Sequence, residues 1–325
     1  MWVLTSWAAA VEPNHPTGAR GVMMVDKYGA KIRFFDPATL KEQASFDVPK
    51  NPHDFALTAD HKTAYVPIYG DGVYGRNSNP GHEIAIVDIA SRKLAGLIDI
   101  APHRAPHGIQ IDSKGMLYVA CDLDRQVLII DPKTRKITAE LDTEGTGHWI
   151  GILPDASKLY VTNKTDKPFI SVIDLKMRKI TTRIPAPNGT EGIAVSPDGK
   201  HVVVMESTAA TMIVIDPATD VVLDRIPIRG QTKGYKVYYT PDGRKLLTMS
   251  IAEDVVSVFD AANLRAEPTT IPCGKDPMGF AFAADGNTVL VANHGDGTVS
   301  VLDLKKMQMV NTFQAGTAIE TLTYY

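Results

Sequence analysis

The sequence predicts an all-β fold, a seven-bladed β-propeller, on three observations. A unit of about 43 residues recurs seven times, each unit reads as four short strands, and the C-terminus carries one strand that the first unit lacks. The repeat is marked by a hydrophobic pair ending in Asp: Phe34-Phe-Asp36, Ile86-Val-Asp88, Ile129-Ile-Asp131, Val172-Ile-Asp174, Val214-Ile-Asp216, Val258-Phe-Asp260 and Val301-Leu-Asp303. Successive Asp residues are 52, 43, 43, 42, 44 and 43 positions apart.

The unit around residue 200 shows the pattern. Gly192-Ile-Ala-Val195 is a short apolar strand, and Ser196-Pro-Asp-Gly-Lys200 is a turn. His201-Val-Val-Val-Met205 and Thr211-Met-Ile-Val-Ile215 follow as the second and third strands. After the turn Asp216-Pro-Ala-Thr-Asp220 comes Val221-Val-Leu-Asp-Arg-Ile226, more polar and so expected at the outer edge. Short apolar runs punctuated by Pro, Asp and Gly are the mark of an all-β chain, and helical periodicity is nowhere sustained.

The ends account for closure of the ring. The first unit, about Gly21 to Val48, has three strands, and Ile319-Glu-Thr-Leu-Thr-Tyr-Tyr325 supplies the missing one. Placed in the first blade, it leaves no open sheet edge at the seam. The long first interval reflects a Gly-rich insertion, Gly70 to Gly81, expected to project as a loop. Residues 1–20 fit no blade and are expected to form a strap or tail, with 21–325 as one propeller domain.

The composition is that of a globular protein: 325 residues, 44% hydrophobic, 22% charged, net charge −3. This balance gives no electrostatic reason to expect nucleic acid as a partner. No apolar run is long enough to span a bilayer, so no membrane insertion is expected. The N-terminal stretch lacks a basic region and a full apolar core, so either a leader has been removed, implying a periplasmic or extracellular location, or the protein is cytoplasmic. The two cysteines, Cys121 and Cys273, make no disulfide framework and read as small apolar residues.

In a propeller the first strand of each blade lines the central channel, and its first residue faces the mouth. Aligning the seven first strands puts Glu320, His53, His107, His148, Glu191, Tyr235 and Met278 at that level, in ring order. The register is internally consistent. Twelve residues separate the mouth position from a fixed site on the second strand in His53 to Tyr65, His148 to Tyr160, Glu191 to Val203, Tyr235 to Leu247 and Met278 to Leu290; His107 to Tyr118 is eleven. Three of the nine histidines therefore converge in consecutive blades, flanked by carboxylates. Neutral imidazoles on one axis suit a divalent transition metal, and neighbouring carboxylates either ligate or take the second ring N–H. The expected ligands are His53, His107, His148, Glu191 and Glu320. Softness does not choose among Zn, Fe, Mn, Ni and Cu.

Loops between second and third strands open on the same face and would bring Tyr69, Asp122, Lys164, Glu206 and His294 to a second circle. Glu191, Tyr235 and His294 are candidate acid–base groups, and Arg104, Lys164 and Trp149 candidate substrate contacts. His103 lies in the linker before His107, whereas His15, His61, His82 and His201 fall in turns or tails and take no role. There is no Gly-x-Ser-x-Gly elbow, P-loop, GxGxxG after a strand or Cys-x-x-Cys-His haem site.

Tyr160-Val-Thr-Asn163, followed by Ser171-Val-Ile-Asp174, resembles the repeat of the YVTN β-propeller family. Tyr118-Val-Ala-Cys121 and Val289-Leu-Val-Ala-Asn293 are variants of it, so the resemblance runs from about residue 20 to 325. It implies the propeller fold but divides on function, since similar proteins include envelope proteins without known chemistry and lactonase-like or cytochrome d1-like propellers. Fold alone does not decide among these. By analogy with propeller lactonases and lyases, which hold metals at the channel mouth, the residues point to a metal-dependent hydrolase of a lactone or ester, or a lyase, acting on a small oxygen-rich molecule. The alternatives are a non-catalytic envelope binding module and an Fe- or Cu-dependent redox enzyme.

Overall fold

The structure is a computed structural model that describes residues 19–72, 77–165 and 167–325. Its described residues form twenty-eight strands, β1 to β28 in chain order, in seven four-stranded antiparallel sheets. No α-helix occurs among them, and no helix is long and apolar enough to cross a membrane.

The first blade has the order β28-β1-β2-β3, built from Ile319–Tyr324, Val22–Asp26, Lys31–Phe35 and Glu42–Asp47. The C-terminal strand is thus its inner strand, pairing Val22 with Tyr324 and Met24 with Leu322. Each of the other six blades uses four consecutive strands. Their inner strands are β4 (Ala56–Leu57), β8 (Pro106–Ile111), β12 (Gly147–Ile152), β16 (Ile193–Val195), β20 (Val237–Tyr239) and β24 (Pro277–Phe282).

Alternation along each strand builds the core between blades. Side chains of successive strand residues point to opposite faces. In β1, Val22 and Met24 pack against Leu290, Ala292 and Val301 of the last blade. Met23 and Val25 pack the other way, against Ala64, Val66 and Val87 of the second. The buried apolar residues fall into seven such clusters, one per junction. The fourth strands alternate exposed and half-buried residues, as in Lys136–Asp142 and Val221–Pro227, in keeping with an outer edge.

The repeated Asp has a local cause. It ends the third strand, and its carboxylate accepts backbone N–H groups of the turn that follows. Asp36 takes Ala38 N and Thr39 N, Asp131 takes Lys133 N, and Asp303 takes Lys305 N and Lys306 N. Such Asx turns reverse the chain without help from its neighbours.

The Gly-rich insertion departs from a simple loop. Its described ends continue the hairpin of β5 (Thr63–Asp71) and β6 (Asn79–Asp88), with Gly70 opposite Pro80 and Asp71 opposite Asn79. Backbone pairing outcompetes the looseness that glycine suggests; residues 73–76 lie outside the described residues. The ladder shifts register between Ile68 and Gly70, and Tyr69 sits at that irregularity. Of the expected strap or tail, only Ala19 and Arg20 are described; Arg20 N donates to the carbonyl of Tyr325 at 2.6 Å.

Candidate functional site

The inner strands approach closely at the mouth. A Cβ on Gly108 would stand 2.7 Å from the carbonyl oxygen of His148, and one on Gly192 would stand 2.7 Å from the Cα of Lys236. Glycine in the position after the mouth residue therefore lets adjacent backbones touch, and this draws the mouth residues together.

The three aligned histidines meet. Ring centroids are 4.0 Å apart for His53 and His107 and 3.6 Å for His107 and His148, the latter pair stacked. All three are buried. Burial, above all, pulls each imidazole well below the usual histidine range, with neighbouring cations and histidines adding to the effect. These rings are neutral at pH 7, the form that ligates a metal. His107 Nδ1 lies 3.2 Å from the carbonyl oxygen of His148, an acceptor only, so Nδ1 donates and Nε2 carries the lone pair.

Asp122, which the sequence places in the second circle, stands directly behind this stack. Its carboxylate is 3.1 Å from His148 Nδ1 and accepts the Tyr69 hydroxyl at 3.0 Å. Burial pushes its carboxyl well above the usual range, against the Tyr69 hydrogen bond and Lys164. His107, Asp122 and His148 each offer a donor atom, all within 4.8 Å of one another, as metal ligands would.

The flanking glutamates are placed differently. Glu320 is fully buried, with His294 Nδ1 at 3.1 Å and both His53 Nε2 and Lys27 Nζ at 3.5 Å. Burial alone would raise its carboxyl, but Lys27, His53 and His294 outweigh it and hold the group well below the usual range. Glu191 pairs with Lys164 at 2.6 Å. Its carboxyl is nevertheless raised, because burial exceeds the pull of Lys164 and of the nearby Trp149 indole N–H, which falls short of hydrogen-bond geometry. Tyr235 is half-buried at the mouth, and burial keeps its phenol protonated well above the ordinary range.

Trp149 walls the cluster, its ring 4.4 Å from that of His107 and 5.8 Å from that of His53. Arg104 lies apart, its guanidinium forked onto Asp124 at 2.8 and 3.2 Å on the exposed rim. His103 is buried beside Glu140 at 3.4 Å, and Glu206 bonds Asn188 and Arg225 away from the histidines. Met278 lines the mouth half-buried. Cys121 is buried and Cys273 half-buried, both free.

Three charged groups at the mouth escape a reading that takes one residue per blade. Lys27 contacts Glu320. Asp54, next to His53, has its carboxyl raised to about 6, chiefly by burial. Lys236, next to Tyr235, is buried, with its ammonium 4.2 Å from the Trp149 ring centroid. The available signal was a charge inside Gly234-Tyr-Lys-Val-Tyr-Tyr239, where three other blades have glycine after the mouth residue.

Comparison with known proteins supports the fold and the repeat. Residues 111–236 match the family model described as YNCE-like beta-propeller. No curated protein matches the chain in sequence. Among solved structures, it is similar to Kuenenia stuttgartiensis hydrazine synthase at 18% identity, covering 93% of this chain and 99% of the other with a TM-score of 0.76. It is likewise similar to a functionally unknown protein from Desulfotomaculum acetoxidans DSM 771 at 11% identity, covering 94% and 98% with a TM-score of 0.77. At these identities the likeness is one of fold.

Proposed function

We propose that the channel mouth holds a divalent transition metal and acts on a small oxygen-rich molecule, as a hydrolase of a lactone or ester or as a lyase. The observation that carries this reading is the convergence of His107, His148 and Asp122 donors beside a third neutral histidine. The fit is supported by buried polar atoms of the mouth that lack a hydrogen-bond partner, His53 Nδ1 and Oε2 of Glu191. Unsatisfied groups at this density are costly, and a cation with its coordinated groups would relieve them.

His107 and His148 would hold the metal through imidazole nitrogen, with Asp122 as carboxylate ligand or as the acceptor that orients His148. His53 would add a further imidazole to the set, with Glu320 3.5 Å from its Nε2. A divalent metal at this point supplies Lewis acidity toward a carbonyl or carboxylate oxygen. Glu191, with its carboxyl raised by burial, serves as proton acceptor. Tyr235 stays protonated and serves as donor, and Lys164 keeps Glu191 in place. Tyr69 fixes Asp122. A location in the periplasm suits the reading, as for envelope propellers with the same repeat.

Elemental analysis of protein purified without added metal tests this reading, with His107→Ala beside the wild type. Near-stoichiometric Zn, Mn or Ni, lost in the variant, is expected. Fe or Cu in its place would favour redox chemistry at the same residues. Protein that neither carries nor takes up metal would leave a binding propeller and overturn the enzyme reading.

A further inference from the structure

Among the described residues the mouth gathers three lysines, of which two have a counter-ion. Lys27 is paired with Glu320 and Lys164 with Glu191. Lys236 is 3% exposed, and its ammonium makes no hydrogen bond and no ion pair. A buried ammonium without a partner is costly unless something else meets it. The Trp149 ring, 4.2 Å away, attracts the charge through its face but accepts none of the three N–H donors.

The ammonium belongs to the cluster rather than to the body of a blade. Its field is felt at His53, His148, Asp54 and Glu191 alike. Trp149 also touches His107, so one indole links the unpaired cation to the candidate metal ligands. The strand gives the reason. Lys236 precedes the first ladder residue of β20, and its backbone abuts Gly192, so it leaves the sheet at the channel rather than within an interblade core.

We propose that Lys236 is an anion-binding residue, receiving the carboxylate of a small organic acid against the face of Trp149. No oxygen accepts from the Lys236 ammonium, and a single carboxylate would supply that acceptor. Inorganic phosphate brings more than one charge at neutral pH and meets Glu191 and Asp54 nearby. The flat indole suits a planar group, and half-buried Tyr235 and Glu191 mark the approach from the mouth. The proposal deepens the reading of the mouth as a substrate site and rests on it for the substrate's orientation, with the acid end on Lys236 and the reacting end toward His107 and His148. Binding of the carboxylate itself needs no metal.

The test uses metal-free full-length protein and glycolate, a small hydroxy acid, followed by calorimetry and by the rise in Tm that ligand binding produces. Wild type is expected to bind glycolate, Lys236→Arg to remain within a few-fold, and Lys236→Met to lose about tenfold or more. Should Lys236→Met fail to fold, wild type supplies a second readout. There glycolate is expected to raise Tm, while glycolamide, which lacks the carboxylate charge, is expected to leave it unchanged. Equal affinity in Lys236→Met, absence of glycolate binding to wild type, or Lys236-dependent binding of inorganic phosphate with glycolate silent would each overturn the proposal. Metal content is scored separately. Glycolate binding through Lys236 in a chain that never takes up metal keeps this inference and removes the metal, and the reverse result removes only this one.

Discussion

Asp26 and Ala318 are 292 residues apart in sequence, and the Asp26 carboxylate accepts the Ala318 backbone N–H at 2.9 Å. The same carboxylate takes Thr317 N at 3.1 Å, Gly29 N at 3.0 Å and Arg33 Nε at 2.8 Å. A single buried side chain thus ties the last inner strand to the blade that it completes, next to Lys27 and Glu320 at the mouth.

Asp26→Ala is expected to cost about 3 kcal/mol, because it strands the buried Ala318 donor, unties the Thr317 and Gly29 donors and removes the buried carboxylate from Arg33. Asp26→Asn keeps acceptor capacity and should cost less. Urea midpoints of the two variants against wild type measure the difference, and unchanged midpoints would show that the seam does not depend on this residue.

The pH dependence has a definite sign. Burial opposes ionisation of Asp26, but the N–H groups of Ala318 and Thr317, with Arg33 and Gly29, outweigh it and lower its carboxyl from the ordinary 3.8. A group whose folded value is depressed contributes stability that is full above the unfolded value and lost as pH falls through the folded one. Wild type should therefore lose stability relative to Asp26→Asn as pH drops below about 4. Parallel curves for the two proteins across that range would contradict it.

The fold is legible in the sequence because its signals are local. Each Asp36-type turn is closed by its own neighbours, and alternation in β1 needs no knowledge of which blade lies on either side. The three histidines were legible for a similar reason, since a count of eleven or twelve to the second strand fixes which residue leads the first. Asp122 was assigned to an outer circle because its approach to His148 depends on how one blade sits against the next. Lys236 was missed because it stands one residue past the aligned position, just ahead of β20, and a pattern of one residue per blade does not see it.

Gly192 tests how close packing of the inner strands shapes the site. A Cβ there meets backbone, at 2.7 Å from Lys236 Cα and 2.8 Å from the Tyr235 carbonyl oxygen, so no side chain can yield to it. Gly192→Ala is expected to cost about 1–3 kcal/mol. Gly115 and Gly230, where an added Cβ meets nothing, also have positive φ, so their alanine variants report backbone strain alone and serve as references. Thermal unfolding of the three separates the two effects. An unchanged Tm in Gly192→Ala would mean that the strands part without penalty.

Asp122 distinguishes a held metal from a merely polar mouth. It faces His148 on one side and Tyr69 on the other, so Asp122→Asn preserves shape while removing the charge that either ligates or orients. Metal affinity, measured by competition with a chromogenic chelator, is expected to fall about 10–100-fold. Tyr69→Phe removes only the hydroxyl that fixes the carboxylate and should fall less. In the metal-free protein the order reverses for stability. Asp122 is a buried carboxyl raised well above its usual range, so removing its ability to ionise takes away a charge that the folded state disfavours. Asp122→Asn should then equal or exceed wild type in Tm without metal and fall below it with saturating metal, since ligand linkage stabilises the tighter binder more. That crossing is specific to a metal-holding role, and two Tm curves that shift by the same amount with and without metal would refute it.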